Sequence, residues 1–390
     1  MTLSNSIQAD QPLIAGWRHE LHQTPELCYE EVKTSAFVAK TLREIGVDAV
    51  HEGLGKTGVV AVIKGKIPSA KTIGLRADMD GLPITEVHDH GYKSQHEGRM
   101  HACGHDGHTA MLLGAAKHLA ETRNFAGTVY LIFQPAEEGG AGAKAMIRDG
   151  LFKKFPCDEV YGMHNLPGLP LGQFAIRPGG IMASPDGFDI EIEGRGGHAA
   201  LPHQSADPIY IGSLIIQALQ GLVSRELDPL AQAVLSVTQF HAGNTHNVIP
   251  DSALVAGTIR TLDEAVRKRM EERLTEVSEA IAAAYGAKAK VAYRRNYPVT
   301  VNHPGETRLA ADAAAALVGD AQVDRACEPL MGGEDFAYML EEKPGAYIFL
   351  GNGDSAGLHH PEYDFNDEAI PFGVGYWAQL VENRLIALPD

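Results

Sequence analysis

The 390-residue chain is expected to fold as an α/β protein. Its first domain would be built on a central mixed sheet flanked by helices, and it would be interrupted by an inserted α+β domain with the ferredoxin-like order of elements. Three observations carry this. Up to residue 183, short Val- and Ile-rich runs alternate with helical patterns and with loops that hold acids and histidines. From Ser184 to residue 297 the order becomes strand, helix, strand, strand, helix, strand. After residue 298 the first alternation resumes. The expected boundaries are 1–183 plus 298–390 for the first domain and 184–297 for the insertion, the size of a small domain.

The elements follow in order. Trp17–Leu21 and Tyr29–Ile45 read as helices; Val32, Phe37, Val38, Leu42 and Ile45 fall near helical spacing, and Gly46 stops the second. Thr57–Gly65 and Thr72–Arg76 read as strands, the second running into the acidic loop Asp78-Met79-Asp80-Gly81-Leu82-Pro83. Residues 84–104 are polar and His-rich and read as a loop. Thr109–Ala120 reads as a helix, and Gly127–Phe133 as a buried strand that feeds Gln134-Pro135-Ala136-Glu137-Glu138-Gly139-Gly140. A helix over Ala141–Arg148 and a strand over Glu159–Met163, ending at His164, complete the first part. In the insertion, Phe188–Ile192, Ala233–Phe240, Ala253–Ile259 and Ala289–Tyr293 read as strands, with helices over Asp207–Val223 and Leu262–Ala284. Helices over Glu306–Leu317 and Glu334–Leu340, a strand over Ala346–Leu350 and a helix over Glu368–Leu385 close the chain.

Composition narrows the function. A net charge of −17 excludes a nucleic-acid binder, because phosphates need Lys and Arg. No run of about 18 apolar residues exists, so no membrane span is expected. The four cysteines are scattered, which is no disulfide framework and suits a reducing compartment. With no secretory pattern at the N-terminus, a cytoplasmic location is expected. Of 18 histidines, seven fall between His88 and His118, a local excess.

That excess centres on Arg99-Met100-His101-Ala102-Cys103-Gly104-His105-Asp106-Gly107-His108. Side chains at i and i+2 of an extended turn point the same way, and thiolate with imidazole suits zinc and its neighbours in the transition series. Three remote features join it: the Glu137-Glu138 step after a strand, His164 at a strand end, and His359-His360 near the C-terminus. Singly each has a plain alternative: a chance run of histidines, a solvated turn, a satisfied core histidine, a surface loop. Jointly Cys103, His105, Glu138, His164 and His360 have room for two ions sharing a bridge. If Glu138 binds metal, its neighbour Glu137 is left to move protons for hydrolysis.

In these motifs the chain resembles the metallo-aminoacylase and carboxypeptidase family, in the amidohydrolase branch with hippurate hydrolase and the plant auxin-conjugate hydrolases. The shared stretches are Arg76–Pro83, His101–Asp106, Gln134–Gly139, Gly197–Pro202, Asn247–Pro250 with Gly257–Arg260, Gly332–Phe336 and His359–Pro361, and they cover nearly the whole chain. The resemblance implies a metal-dependent hydrolase of N-acyl amino acids, a small-molecule substrate. Cys103, His105, Glu138, His164 and His360 would be ligands for one or two divalent ions, with the Cys103 thiolate as the bridge and zinc, manganese, cobalt or nickel as the metal. Glu137 would be the general base and acid, and His198 would stabilise the oxyanion. Asn247, Arg260 and Gly333 would hold substrate, a guanidinium being apt for a carboxylate. The insertion would be a lid and dimerisation module in a homodimer or homotetramer.

One departure stands out. Exopeptidase branches of the family carry a His-x-Asp ligand motif where this chain has Arg76-Ala77-Asp78, so no imidazole is available there. Asp78 then becomes a residue that orients a ligand imidazole. Two rival readings remain at this stage, a dipeptidase or aminopeptidase on the same scaffold and a non-catalytic metal-binding protein.

Overall fold

The computed structural model describes residues 4–386. In chain order the main elements are α1 (Asn5–Gln23), α2 (Val32–Ile45), β1 (Ala49–Leu54), β2 (Gly58–Lys64), β3 (Ile67–Asp78), α3 (His105–Thr122), β4 (Ala126–Gln134), α4 (Gly142–Arg148), β5 (Glu159–Pro167) and β6 (Phe174–Ala175). The inserted part holds β7 (Ser184–Glu193), α5 (Pro208–Gly221), β8 (Ala233–Ala242), β9 (Ser252–Thr261), α6 (Glu264–Ala284) and β10 (Lys288–Arg294). Then follow α7 (Pro304–Val318), β11 (Val323–Asp324), α8 (Ala337–Glu342), β12 (Gly345–Gly353) and α9 (Ile370–Arg384).

Contacts divide the chain into two compact units. One comprises the residues up to Gly179 with Val301–Glu328 and those from Asp335 onward; the other comprises Gly180–Thr300 with Pro329–Glu334. The short segment Pro329–Glu334 departs from the sequence reading, which gave it to the first domain. Main-chain bonds show why: Ala183 N–H donates to Leu330 O at 3.1 Å and to Gly332 O at 2.9 Å.

The first unit is built on an eight-stranded mixed sheet in the order β1-β2-β4-β3-β5-β12-β6-β11. Its centre is parallel, with β3 flanked by β4 and β5 and β12 beside β5. The carboxyl ends of these strands carry Asp78, Gln134 and the His164 segment, where α/β sheets normally build their sites. Against the sheet lies α3, whose residues from His105 to Ala116 are all buried. Its glycines admit its neighbours: a Cβ on Gly107 would overlap the Phe365 ring, and one on Gly114 would come 2.7 Å from Ile14 and Val374. Helix α1 is longer than expected. Its buried face mixes Ile7, Ile14, Ala15 and Leu21 with Arg18 and His22, which breaks the apolar stripe that periodicity detects. The edge strand β1 goes unseen for a similar reason, since three of its residues are exposed and it has no clean alternation.

The second unit is a four-stranded antiparallel sheet in the order β8-β9-β7-β10, the ferredoxin-like arrangement. Phe188, Ile190, Ile192, Val255 and Ile259 pack against Ile211, Ile215 and Leu219 of α5 and Met270 and Leu274 of α6. Both helices start at capping aspartates. Asp207 accepts from Ile209 N–H, with Pro208 at the first helical position, and Asp263 accepts from Ala265 and Val266 N–H. Arg267 and Asp186 form a buried bidentate pair at 2.7 Å, and Tyr293 donates its hydroxyl to the same carboxylate at 2.8 Å.

Candidate active site

The site begins at the turn into α3. Gly104 has φ +88° and caps the helix. A Cβ there would overlap the Asn165 side-chain amide, so both backbone and space demand glycine. The turn sets Cys103 Sγ 3.4 Å from His164 Nε2 and places His105 on the first turn of the helix. His105 Nδ1 lies 2.9 Å from the Asp80 carbonyl oxygen and 3.3 Å from Asp80 Oδ1. Donation of that N–H leaves Nε2 with a lone pair; the atom is buried, has no hydrogen-bond partner, and stands 4.0 Å from Glu138 Oε1. His164 is arranged likewise, its Nδ1 donating to Asn165 O at 2.6 Å. Imidazoles anchored by one nitrogen, with the other turned to the donor cluster, are the pattern of metal-binding histidines.

The C-terminal histidine corrects the sequence reading. His359, not His360, reaches the cluster, with Nε2 3.1 Å from Glu138 Oε1. Its N–H donates to Ala102 O at 2.7 Å and its φ is +63°, which pins the loop beside Cys103, while its side chain stays half-exposed. His360 is exposed and its Nδ1 accepts from Glu362 N–H at 3.1 Å. Asp78 is a second correction: its carboxylate takes Arg76 Nη1 at 2.6 Å and His108 Nδ1 at 2.6 Å, while the anchor of His105 is Asp80. His108 in turn accepts from Asn165 N–H at 3.0 Å, and Asn165 donates its amide to Cys103 O at 2.7 Å. Arg76, fully buried, also reaches Gln134 at 2.9 Å and Asp335 at 3.2 Å. The position without an imidazole is thus the head of a buried charge chain that braces the ligands.

Glu137 and Glu138 ride a doubled-back loop after β4. Ala136, Gly139 and Ala141 all have positive φ, and a Cβ on Gly142 would overlap Pro135 O. Asp80 holds this loop, taking Glu137 N–H on Oδ1 at 3.0 Å and Glu138 N–H on Oδ2 at 2.9 Å. Glu137 is 6% exposed, and its Oε1 accepts from Asp335 N–H at 3.3 Å. Ligand atoms of Cys103, His105 and His164 lie within 4.8 Å of one another, as do those of Cys103, Glu138 and His359, and those of His105, Glu137 and Glu138.

The electrostatics suit a cation. Burial and the carboxylates of Glu138, Glu137 and Asp78 hold the Cys103 thiol well above its usual pKa. Burial alone would depress His105, but Asp78, Asp80 and Glu138 outweigh it and push it up to about 10. Burial and the neighbouring His108 keep His164 well below 6.5. A bound divalent ion would displace the Cys103 thiol proton and the second proton of His105, and would take the lone pair of His164. The donor set and the orphaned His105 nitrogen therefore fit one or two such ions.

The second unit holds the other expected residues. His198 pairs with Val248 in a two-stranded ladder, and Ala199 N–H donates to Asn247 O at 3.0 Å, so His198 and Asn247 lie close together. The His198 ring is exposed, with Nδ1 accepting from Ala200 N–H at 3.1 Å. Arg260, at the end of β9, is half-buried. It bonds Thr258 Oγ1 and Ile259 O, and no carboxylate pairs with it among the described residues. Gly333 packs on the Pro185 ring at a distance that excludes a Cβ.

A parallel-centred sheet with thiolate, imidazoles and paired carboxylates at its strand ends defines a metal-dependent hydrolase of amide bonds. The chain belongs to the peptidase family M20/M25/M40, whose model matches residues 74–383. It is 46% identical to the hippurate hydrolase of Campylobacter jejuni over 363 residues, 93% of this chain and 94% of that one. It is 45% identical to the N-acetyl-L-cysteine deacetylase of Bacillus subtilis, over 92% of this chain and 84% of the other. The crystal structure of the Bacillus subtilis YXEP protein, a dinuclear metal-binding peptidase of the M20 family, superposes with a TM-score of 0.86 at 36% identity, over 97% of this chain and 99% of that one. Among the described residues no helix is long and apolar enough to cross a membrane.

Proposed function

We propose that this enzyme hydrolyses N-acyl amino acids, releasing a carboxylic acid and a free amino acid. The observation that carries the reading is the buried Glu137 carboxylate beside the donor cluster, within 4.8 Å of the ligand atoms of His105 and Glu138. Relatives named for hippurate and N-acetyl-L-cysteine, both N-acyl amino acids, support it. Cys103, His105, Glu138, His164 and His359 would hold one or two divalent ions, with zinc or manganese expected and cobalt or nickel as substitutes. Bound there, the metal lowers the pKa of a water from 15.7 towards about 7 and polarises the scissile carbonyl. Glu137 takes a proton from the attacking water and delivers it to the leaving amine nitrogen. Main-chain bonds from Asp335 and to Asp80 fix its approach. Arg260, a half-buried guanidinium with no carboxylate partner among the described residues, is read as the receptor for the substrate carboxylate. His198 is read as the donor to the oxyanion. Asn247 and Gly333 are read as further substrate contacts, and the inserted unit as a lid and dimerisation module of a homodimer or homotetramer.

The test is release of free amino acid from a panel of N-acyl amino acids, with protein stripped by chelator and refilled separately with zinc, manganese, cobalt and nickel. Metal-restored cleavage of blocked amino acids is expected. Turnover of unblocked dipeptides alone would overturn the substrate assignment.

A further inference from the structure

The turn Cys28-Tyr29-Glu30-Glu31 is more than 100 residues away in sequence from the loop that carries the two glutamates, yet it clasps that loop at three points. Glu31 Oε1 accepts from Ala136 N–H at 2.8 Å, Tyr29 donates its hydroxyl to Gly140 O at 2.7 Å, and Cys28 Sγ lies 3.8 Å from Glu138 O. Glu31 is fully buried, and no Lys, Arg or His pairs with it among the described residues. Its other partners are the N–H of Tyr29 at 2.9 Å and the hydroxyl of Thr57 at 2.6 Å. A buried carboxylate held only by neutral donors is costly for folding, so stability alone does not account for it. What it holds is a left-handed alanine: Ala136 has φ +54°, and Tyr29 on the clasping turn has φ +63°. Such conformations persist only where the surroundings over-determine them. With Asp80 on the next two N–H groups, three consecutive main-chain donors are aimed at two buried carboxylates.

We propose that Glu31 is a positioning residue, whose carboxylate fixes the main chain at Ala136 and thereby the reach of Glu137 to substrate and of Glu138 to metal. The proposal rests on the reading of Glu137 as the proton-transfer group and Glu138 as a ligand.

The experiment compares Glu31→Ala, Glu31→Gln and Glu31→Asp. In Glu31→Gln the amide oxygen can keep both N–H donors while its NH₂ meets the Thr57 hydroxyl, which can turn to accept. Three readouts are taken: hydrogen exchange by mass spectrometry over residues 134–143 of the metal-free protein, zinc retention against a competing chelator, and kcat and KM separately. Glu31→Ala is expected to lose protection in that stretch while α3 keeps its own, and to lose kcat ~100-fold with little change in KM. Its zinc retention should weaken roughly 10–100-fold. Glu31→Gln should restore all three readouts to near wild-type values, and Glu31→Asp, one methylene short, should fall between. If Glu31→Ala fails to fold, the comparison of Gln with Asp carries the test. Glutamine as damaging as alanine or aspartate, or an opened loop with unchanged kcat and zinc retention, would overturn the proposal. Wild-type enzyme inactive on every N-acyl amino acid would instead defeat the substrate reading, while exchange and zinc retention still judge Glu31.

Discussion

Replacing Asp80 by Asn changes no shape and tests the site's central brace. The carboxylate is 1% exposed and faces three donors: Glu137 N–H at 3.0 Å and His105 Nδ1–H at 3.3 Å on Oδ1, and Glu138 N–H at 2.9 Å on Oδ2. An amide offers one acceptor end and one donor end. Turned one way it strands Glu138 N–H; turned the other it strands Glu137 N–H and confronts His105. Either way one buried donor loses its partner, at about 1–3 kcal/mol, and the remaining bonds lose their charge assistance. Because the stranded group lies on the loop that carries Glu138, the same loss appears in metal binding, roughly 10–100-fold. The assays are chemical denaturation of the metal-free protein and zinc competition against a chromogenic chelator. A variant with wild-type stability and wild-type zinc affinity would refute the reasoning that the Asp80 carboxylate holds the loop.

Other outcomes follow from the same geometry. His359→Ala should lose metal and turnover together, whereas His360→Ala should leave zinc affinity near wild type; isothermal titration of both variants decides it. Arg260→Ala should raise KM about 10–100-fold for substrates with a free carboxylate, the worth of a charged hydrogen-bonded pair, and change little for the corresponding amides. Stability should fall in alkali through His22. Burial alone would lower its pKa, but Asp106 and Glu86 outweigh burial and hold it at about 9 against an ordinary 6.5. A folded pKa above the unfolded one means the stabilisation is complete below pH 6.5 and lost as pH rises through about 9, at most about 3 kcal/mol. Denaturation of the metal-free protein at pH 6.5 and 9.5 should show that loss, and His22→Gln should remove most of it.

Much of this architecture is visible in the chain because its signals are local. The insertion declares itself by strands of period two and by helices that open on Asp207 and Asp263. Cys103 and His105 sit two apart across a glycine, and Glu138 follows a buried strand, so their convergence needs only the α/β rule of chemistry at strand ends. What is not legible depends on single dihedrals and distant partners. His359 and His360 are equivalent on paper; the positive φ of His359 and its N–H bond to Ala102 choose between them. Asp78 and Asp80 share one loop, and only the fold gives Asp78 to Arg76 and His108 and leaves Asp80 for His105. Arg18 and His22 hide the buried face of α1, since charged residues on a core face erase the amphipathic pattern. Glu31 has no local signal at all, because its partner Ala136 lies on the far side of four strands of sequence.

The most direct measurement is Glu137→Gln, assayed for bound metal and for amino acid released from N-acyl amino acids. The account predicts metal content equal to wild type and hydrolysis reduced about 10²–10⁴-fold, the share of a general acid–base. Turnover retained within a few-fold, with metal still bound, would contradict it, because the proton would then move without the Glu137 carboxylate.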